Sequence, residues 1–313
     1  MTSDNTGKLA GQLLAIAVGA LVLVLLARAL GGIRFDEVAR AIAALSPATV
    51  AAAVTLSLCG YLWIVGYDYL ALRFLHRHVP WTRLVLTSLA AFALQRNVGP
   101  GPFTGGALRY RYYRPLGFRP ADAAVITLLC GFAFTLGIVL TAGWALLLEP
   151  EGLATVLGLP SAPLRAAGAA LLLGLAGYLY WTSVRHHPIR IGTWWAPAPS
   201  LGLSLLQLLF GAVDIAIVAG VLYLLLPAEV GLGYPAFVGL YVLAMVAGAL
   251  SHVPGGLGVF ESVLLLLLPG DAPASAVLAS LLAFRGVYYL LPLLIMAVSV
   301  GGYELLLRRR VAA

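Results

Sequence analysis

The chain has 313 residues, of which 62% are hydrophobic and 10% charged, with a formal net charge of +7. A soluble domain is nearer half apolar and a quarter charged, so a water-soluble fold is excluded and an integral membrane protein is expected. The arginines flank apolar runs, where positive-inside topology and anionic headgroups account for them, so the basic balance does not indicate nucleic acid.

In chain order, a short polar tail with Lys8 leads into an apolar run at 9–30, read as the first transmembrane helix because it is too long for a signal-peptide core. Residues 31–47 are a connection with a short amphipathic piece at 35–45, ended by Ser46-Pro47. A second span covers 48–72, and Arg73, Arg77 and Arg83 follow. From Leu84 only about a dozen apolar residues precede Gln95-Arg96-Asn97 and GPGPFTGG, too few to cross about 30 Å of hydrocarbon. Basic chain returns at Arg109, Arg111, Arg114 and Arg119, so 84–108 is expected to be a re-entrant hairpin. Pro120 and Asp122 suit the start of a long helix to about 148. Further spans are expected at 163–184, 200–226 and 274–307, with an interrupted pair at 235–250 and 258–268. The basic segments 73–83, 109–119, 185–190 and 308–310 are assigned to the cytoplasm, as are both termini, whereas 31–47 must face out although it carries Arg34 and Arg40. Cys59 and Cys130 have no motif spacing and read as packing residues.

The expected fold is therefore an all-α polytopic membrane protein, one domain over residues 1–313, with about six full transmembrane helices and two re-entrant helical hairpins. The layout also reads as an inverted-topology repeat of about 9–150 and 163–310. Pro47 and Pro199 are 152 residues apart, as are Pro102 and Pro254, Gly106 and Gly258, and Arg109 and Glu261.

The second break, SHVPGGLGVFE, places a proline, three glycines, His252 and Glu261 inside apolar chain. Irregular backbone survives in a membrane only where it is buried in protein or lines a polar cavity. Either these glycines simply let helices kink and approach, or their free N–H groups and half-helix ends face a ligand. Neither break is a nucleotide loop: Ala107 stands where a Walker lysine belongs, and the second lacks a third glycine at the required spacing. Arg109 lies three residues past Gly105-Gly106, placed to grip a lipid phosphate. Glu261 occupies the mirrored position, where it either complements a helix N-terminus or meets a cationic headgroup. Asp214 and Arg285 lie within apolar helices, where either an Asp214–Arg285 or Glu261–Arg285 pair holding the bundle together or a substrate contact is expected. Asp68 reads as interfacial. No nucleophile–base set and no metal-ligand spacing is evident, so neither an enzyme nor a metal or other cofactor is expected.

At these residues the chain resembles the membrane domain of the bacterial lysylphosphatidylglycerol synthase/flippase family. NVGPGPFTGGALRYRYYRPLGF at 97–118 and SHVPGGLGVFESVLL at 251–265 carry the resemblance. It implies movement of an aminoacylated phospholipid between leaflets, with the breaks meeting near a central cavity. It implicates Asn97, Gly105, Gly106 and Arg109 in the first break, and Pro254, Gly255, Gly256 and Glu261 in the second. Arg111 and His252 join them as candidate contacts from their positions in the breaks. Full-length members add a cytosolic synthase domain; the chain stops three residues after Arg310, so synthesis is not expected. The expectation is a bacterial inner-membrane translocase for a phospholipid with a cationic or zwitterionic headgroup. Its rivals are a lipid-binding accessory subunit of a membrane enzyme and, last, an intramembrane enzyme. A homo-oligomer or an enzyme partner remains open.

Overall fold

A computed structural model describes residues 35–98, 101–184, 189–191, 194–196, 199–251, 253–268 and 272–312. The expected first span and His252 lie outside them. The described chain begins with α1, Phe35–Ala43, followed by α2, Pro47–Phe74, and α3, Trp81–Val98. Next come α4, Gly101–Tyr113, and α5, Pro120–Leu148, then a short α6, Pro150–Leu157, and α7, Ser161–Val184. A small antiparallel hairpin, β1 (Ile189–Ile191) with β2 (Trp194–Ala196), separates α7 from α8, Leu201–Leu225. Then follow α9 (Tyr234–Leu250), α10 (Val259–Leu267) and α11 (Ala274–Phe284). A π-turn, Arg285–Leu290, joins α11 to α12, Leu291–Ala312.

Five helices are long and apolar enough to cross a membrane: Pro47–Phe74, Pro120–Leu148, Ser161–Val184, Leu201–Leu225 and Ala274–Gly302. They match five of the expected spans, and the chain is a multi-pass, all-helical membrane protein apart from the small hairpin. Helix α6 falls between the spans expected to end at about 148 and to begin at 163.

Local chemistry sets the helix ends. Ser46 caps α2, its Oγ accepting from Thr49 N at 3.0 Å, with Pro47 at the first helical position. Ser200 caps α8 in the same way through Leu203 N at 3.2 Å. At the start of α5 the Asp122 carboxylate accepts from Arg119 N at 2.8 Å, satisfying a donor that the first helical turn leaves open.

α3 and α4 pack side by side as a helical hairpin, and α9 and α10 form a second. Their lengths are 18 and 13 residues, and 17 and 9. All four fall short of the roughly 20 residues that span a bilayer. Helices α2, α3, α4 and α5 begin at residues 47, 81, 101 and 120; α8, α9, the turn before α10, and α11 begin at 201, 234, 254 and 274.

α8 is the central strut, packed against α2, α5, α7, α9 and α11. Helices in lipid gain no hydrophobic drive from meeting one another, so close fit must hold them together. Where α5 crosses α8, a Cβ on Gly137 would lie 2.2 Å from the Gly211 carbonyl carbon, and one on Gly211 would lie 2.3 Å from the Ala133 oxygen. On the other side of α8, Phe210 stacks on Trp63 of α2 with centroids 4.5 Å apart, and Trp63 Nε1 donates to the Phe210 carbonyl at 3.0 Å. α7 lies at the periphery and turns Leu173 and Tyr180 outward, both more than two-thirds exposed.

Gly137→Ala should force α5 from α8 and cost about 1–3 kcal/mol, as overpacking does. Gly174→Ala, where a Cβ meets nothing within 4 Å, should be near neutral. The shift in the SDS-unfolding midpoint of each purified variant measures both.

Candidate functional site

The second break is built from left-handed glycines. Gly255, Gly256 and Gly258 have φ of 63°, 60° and 80°, a region that costs a side chain steric strain. Ser251 ends α9: its Oγ donates to the Gly248 carbonyl at 2.6 Å and accepts from Val253 N at 3.2 Å. α10 then starts with Gly258 N donating to Glu261 Oε2 at 2.8 Å, the reach-back half of a capping box. Glu261 therefore does complement its helix N-terminus.

The first break, between α3 and α4, meets the second directly. A Cβ on Gly255 would stand 3.5 Å from the Arg96 carbonyl oxygen and 3.9 Å from that of Asn97. Asn97 ties this junction to the π-turn, its Nδ2 donating to Ala93 O at 2.8 Å and to Tyr289 O at 3.2 Å. Gly105 is a packing glycine: a Cβ there would come within 2.8 Å of Gln95 Oε1 and 2.9 Å of Arg109 Nη1. Gly106 is buried beside it, whereas Arg111 is exposed further along α4.

Three buried ion pairs surround the meeting point. Arg109 holds Asp68 through two nitrogens, Nε–Oδ1 at 2.6 Å and Nη2–Oδ2 at 2.9 Å, and both residues are fully buried. It also reaches Thr127 Oγ1 at 3.3 Å and Cys130 Sγ at 3.8 Å, and its guanidinium lies 5.0 Å from the Phe92 ring centroid. Arg109 is thus enclosed by α2 and α5 and does not open toward a phosphate, and Asp68 is a core residue rather than an interfacial one. Arg285 takes Glu261, Nε–Oε1 at 2.6 Å, and Nη1 donates to the Gly255 carbonyl at 2.7 Å. Of the two expected pairings this is the one formed.

Asp214 pairs instead with Arg96, at the polar end of α3. Arg96 Nη2 bridges both carboxylate oxygens at 3.2 and 3.1 Å, and Tyr67 Oη donates to Oδ2 at 3.2 Å. Arg96 Nη1 is hydrogen-bonded to the Tyr288 hydroxyl, and its guanidinium lies 4.8 Å from that ring's centroid. The signal available in sequence was one of balance. Asp68, Asp214 and Glu261 lie in apolar surroundings, where a charge needs a partner, and Arg109 and Arg285 supply only two.

A cavity of about 510 Å³ lies between the two breaks and the central helices, lined by Arg96, Gln95, Asp214, Gly255, Gly256 and a set of aromatic rings. The rings are Phe92, Phe134, Tyr241, Phe260, Tyr288 and Tyr289. Arg109, Asp68, Glu261 and Arg285 are not among its lining residues. In place of Arg109 on a phosphate and Glu261 on a cationic headgroup, the structure pairs these two with Asp68 and Arg285, and Arg96 and Asp214 line the space.

Removing one member of a buried pair leaves an uncompensated charge and costs about 3–5 kcal/mol, whereas replacing both with apolar groups is often close to neutral. Asp68→Asn should therefore strongly lower the SDS-unfolding midpoint. The double replacement Asp68→Leu with Arg109→Met should recover most of the loss.

The family described as the lysylphosphatidylglycerol synthase TM region matches residues 12–295. An uncharacterised Synechocystis protein, slr0712, is 36% identical over 261 residues, covering 83% of this chain and 81% of its own. The inner membrane protein YbhN of Escherichia coli is 29% identical over 259 residues, 78% of this chain and 76% of its own. The phosphatidylglycerol lysyltransferase of Staphylococcus haemolyticus matches more locally, at 35% over 79 residues, 25% of this chain and 9% of that enzyme. With its helical hairpins, buried charge pairs and a family match over most of its length, the chain belongs to the lysylphosphatidylglycerol synthase transmembrane-region family.

Proposed function

We propose that the chain translocates a phospholipid between the leaflets of a bacterial inner membrane, through the cavity between its two helix breaks. The observation that carries this reading is the cavity itself. It joins a charged pair, aromatic faces and irregular glycine backbone in the interior of a multi-pass protein, and such a lining is costly in lipid without a task. The family's named connection with lysylphosphatidylglycerol and the inner-membrane name of the Escherichia coli relative support a lipid role in that membrane.

In this reading the two hairpins are re-entrant from opposite sides, and the helix starts, displaced by 153 or 154 residues between the halves, reflect an inverted repeat. Rocking of the halves about the breaks alternates access to the cavity. The basic segments and both termini face the cytoplasm. The chain performs no chemistry on its lipid. Asn97, Gly255 and Gly256 shape the junction, and Arg96 and Asp214 meet the headgroup.

Purified protein in liposomes should flip acyl-labelled fluorescent phospholipid faster than empty liposomes, read by dithionite quenching of the outer leaflet. Arg96→Gln should slow the rate by about tenfold, equivalent to about 1.4 kcal/mol, at the low end for a hydrogen bond to a charged group. Rates equal to empty liposomes for every phospholipid tried would overturn translocation, and a copurifying enzyme would then favour the accessory-subunit reading.

A further inference from the structure

Among the three ion pairs, only Arg96–Asp214 has both members lining the cavity. It also has the longest contacts of the three. Arg109 grips its carboxylate with a two-nitrogen fork at 2.6 and 2.9 Å, and Arg285 is held at 2.6 Å by Glu261 and at 2.7 Å by a backbone carbonyl. Arg96 reaches Asp214 with one nitrogen, Nη2, at 3.1 and 3.2 Å, while Nη1 stays with the Tyr288 hydroxyl. The guanidinium can release Asp214 and remain anchored. Arg96 is the outer member of the pair, with 16% of its side chain exposed against 1% for Asp214, so the carboxylate is uncovered when Arg96 turns away.

From this geometry, and resting on the reading of the cavity as the lipid path, we propose that its ligand carries one phosphate and one ammonium in a net-neutral headgroup. This zwitterion enters by exchanging partners with the pair: the phosphate takes Arg96 and the ammonium takes Asp214. The argument is one of charge balance in an apolar wall. A headgroup with a phosphate alone would pair with Arg96 and strand the Asp214 carboxylate. A headgroup with surplus ammonium would leave a cation unmatched. Uncompensated charge is expensive away from water, and only a zwitterion leaves both protein charges and both ligand charges paired.

The surroundings fit both halves of the exchange. A planar guanidinium suits a phosphate oxygen pair. Tyr241, Tyr288, Tyr289 and Phe260 line the same cavity as Asp214, and aromatic rings attract a cation through their quadrupole. Tyr67 donates to Asp214 throughout, from the side of α2. When the lipid leaves, Arg96 and Asp214 close on each other, so the empty cavity also holds no unpaired charge. A lone arginine in the same place would bind phosphate and be slow to release it.

The full-length purified chain, incubated with equimolar phosphatidylethanolamine, phosphatidylglycerol and N-acetylphosphatidylethanolamine, tests this by native mass spectrometry of the retained lipid. The acetylated lipid keeps the phosphate and loses the ammonium. The wild type should retain phosphatidylethanolamine over either anionic lipid by about tenfold. Asp214→Asn, which leaves the cavity with an unbalanced guanidinium, should reverse the order in favour of the anionic lipids. Equal retention of the three lipids by the wild type, or preference for an anionic one, overturns the proposal. An Asp214→Asn variant with the wild-type order does so as well. The wild-type comparison needs no variant and so stands even if Asp214→Asn does not fold. Retention in detergent is independent of flipping: equal retention with active translocation sinks only the headgroup assignment, whereas absent translocation sinks only the transport reading.

Discussion

A charge or a backbone dipole in hydrocarbon must be paired, and the centre of this protein is arranged around that requirement. Asp68, Asp214 and Glu261 each sit within or beside apolar helices, and each is taken by one arginine. The pairs join segments that are distant in sequence: α2 with α4, α8 with α3, and α10 with the π-turn after α11. Each therefore acts as a cross-brace as well as a neutralisation. The backbone of the second break follows the same rule, with Ser251, Glu261 and Arg285 supplying partners where helical hydrogen bonding stops.

Packing in the rest of the bundle depends on contact rather than on the expulsion of water. Gly137 and Gly211 bring two helix backbones together on one face of α8, and the Trp63–Phe210 stack closes the other. With α8 fixed in this way, Asp214 is held at a set depth and orientation. The hairpins α3–α4 and α9–α10 then bring Arg96 and the glycine turn to it from the other side. The cavity is the space left where short helices end and irregular chain begins, which is why charged groups and aromatic faces are concentrated there.

The three pairs differ in a way that separates support from action. Two are tight and closed away from the cavity, and suit permanent structure. The third is longer and turned toward the cavity. In the proposed transport role the site must hold its ligand and then let it go, and a pair whose members satisfy each other when empty lowers the cost of release. Arg109 and Glu261, which the mirrored breaks had suggested as headgroup ligands, belong to the supporting set.

Much of the fold was legible in sequence because its causes are local. Long apolar runs measure the bilayer, Ser46 and Ser200 mark helix starts, and prolines and glycines mark the breaks. The five described spans and both hairpins follow from these, and the two glycine-rich motifs were enough to suggest the family. The short α6 and the small hairpin after α7 were not seen, since neither has an apolar run long enough to register. Tertiary structure alone decided the partners. Whether Asp214 meets Arg285 or Arg96, and whether Arg109 faces a cavity or Asp68, depends on the rotation and crossing of helices far apart in the chain. Sequence supplies the charges and the need to pair them; only three-dimensional packing selects which pair remains open to a ligand.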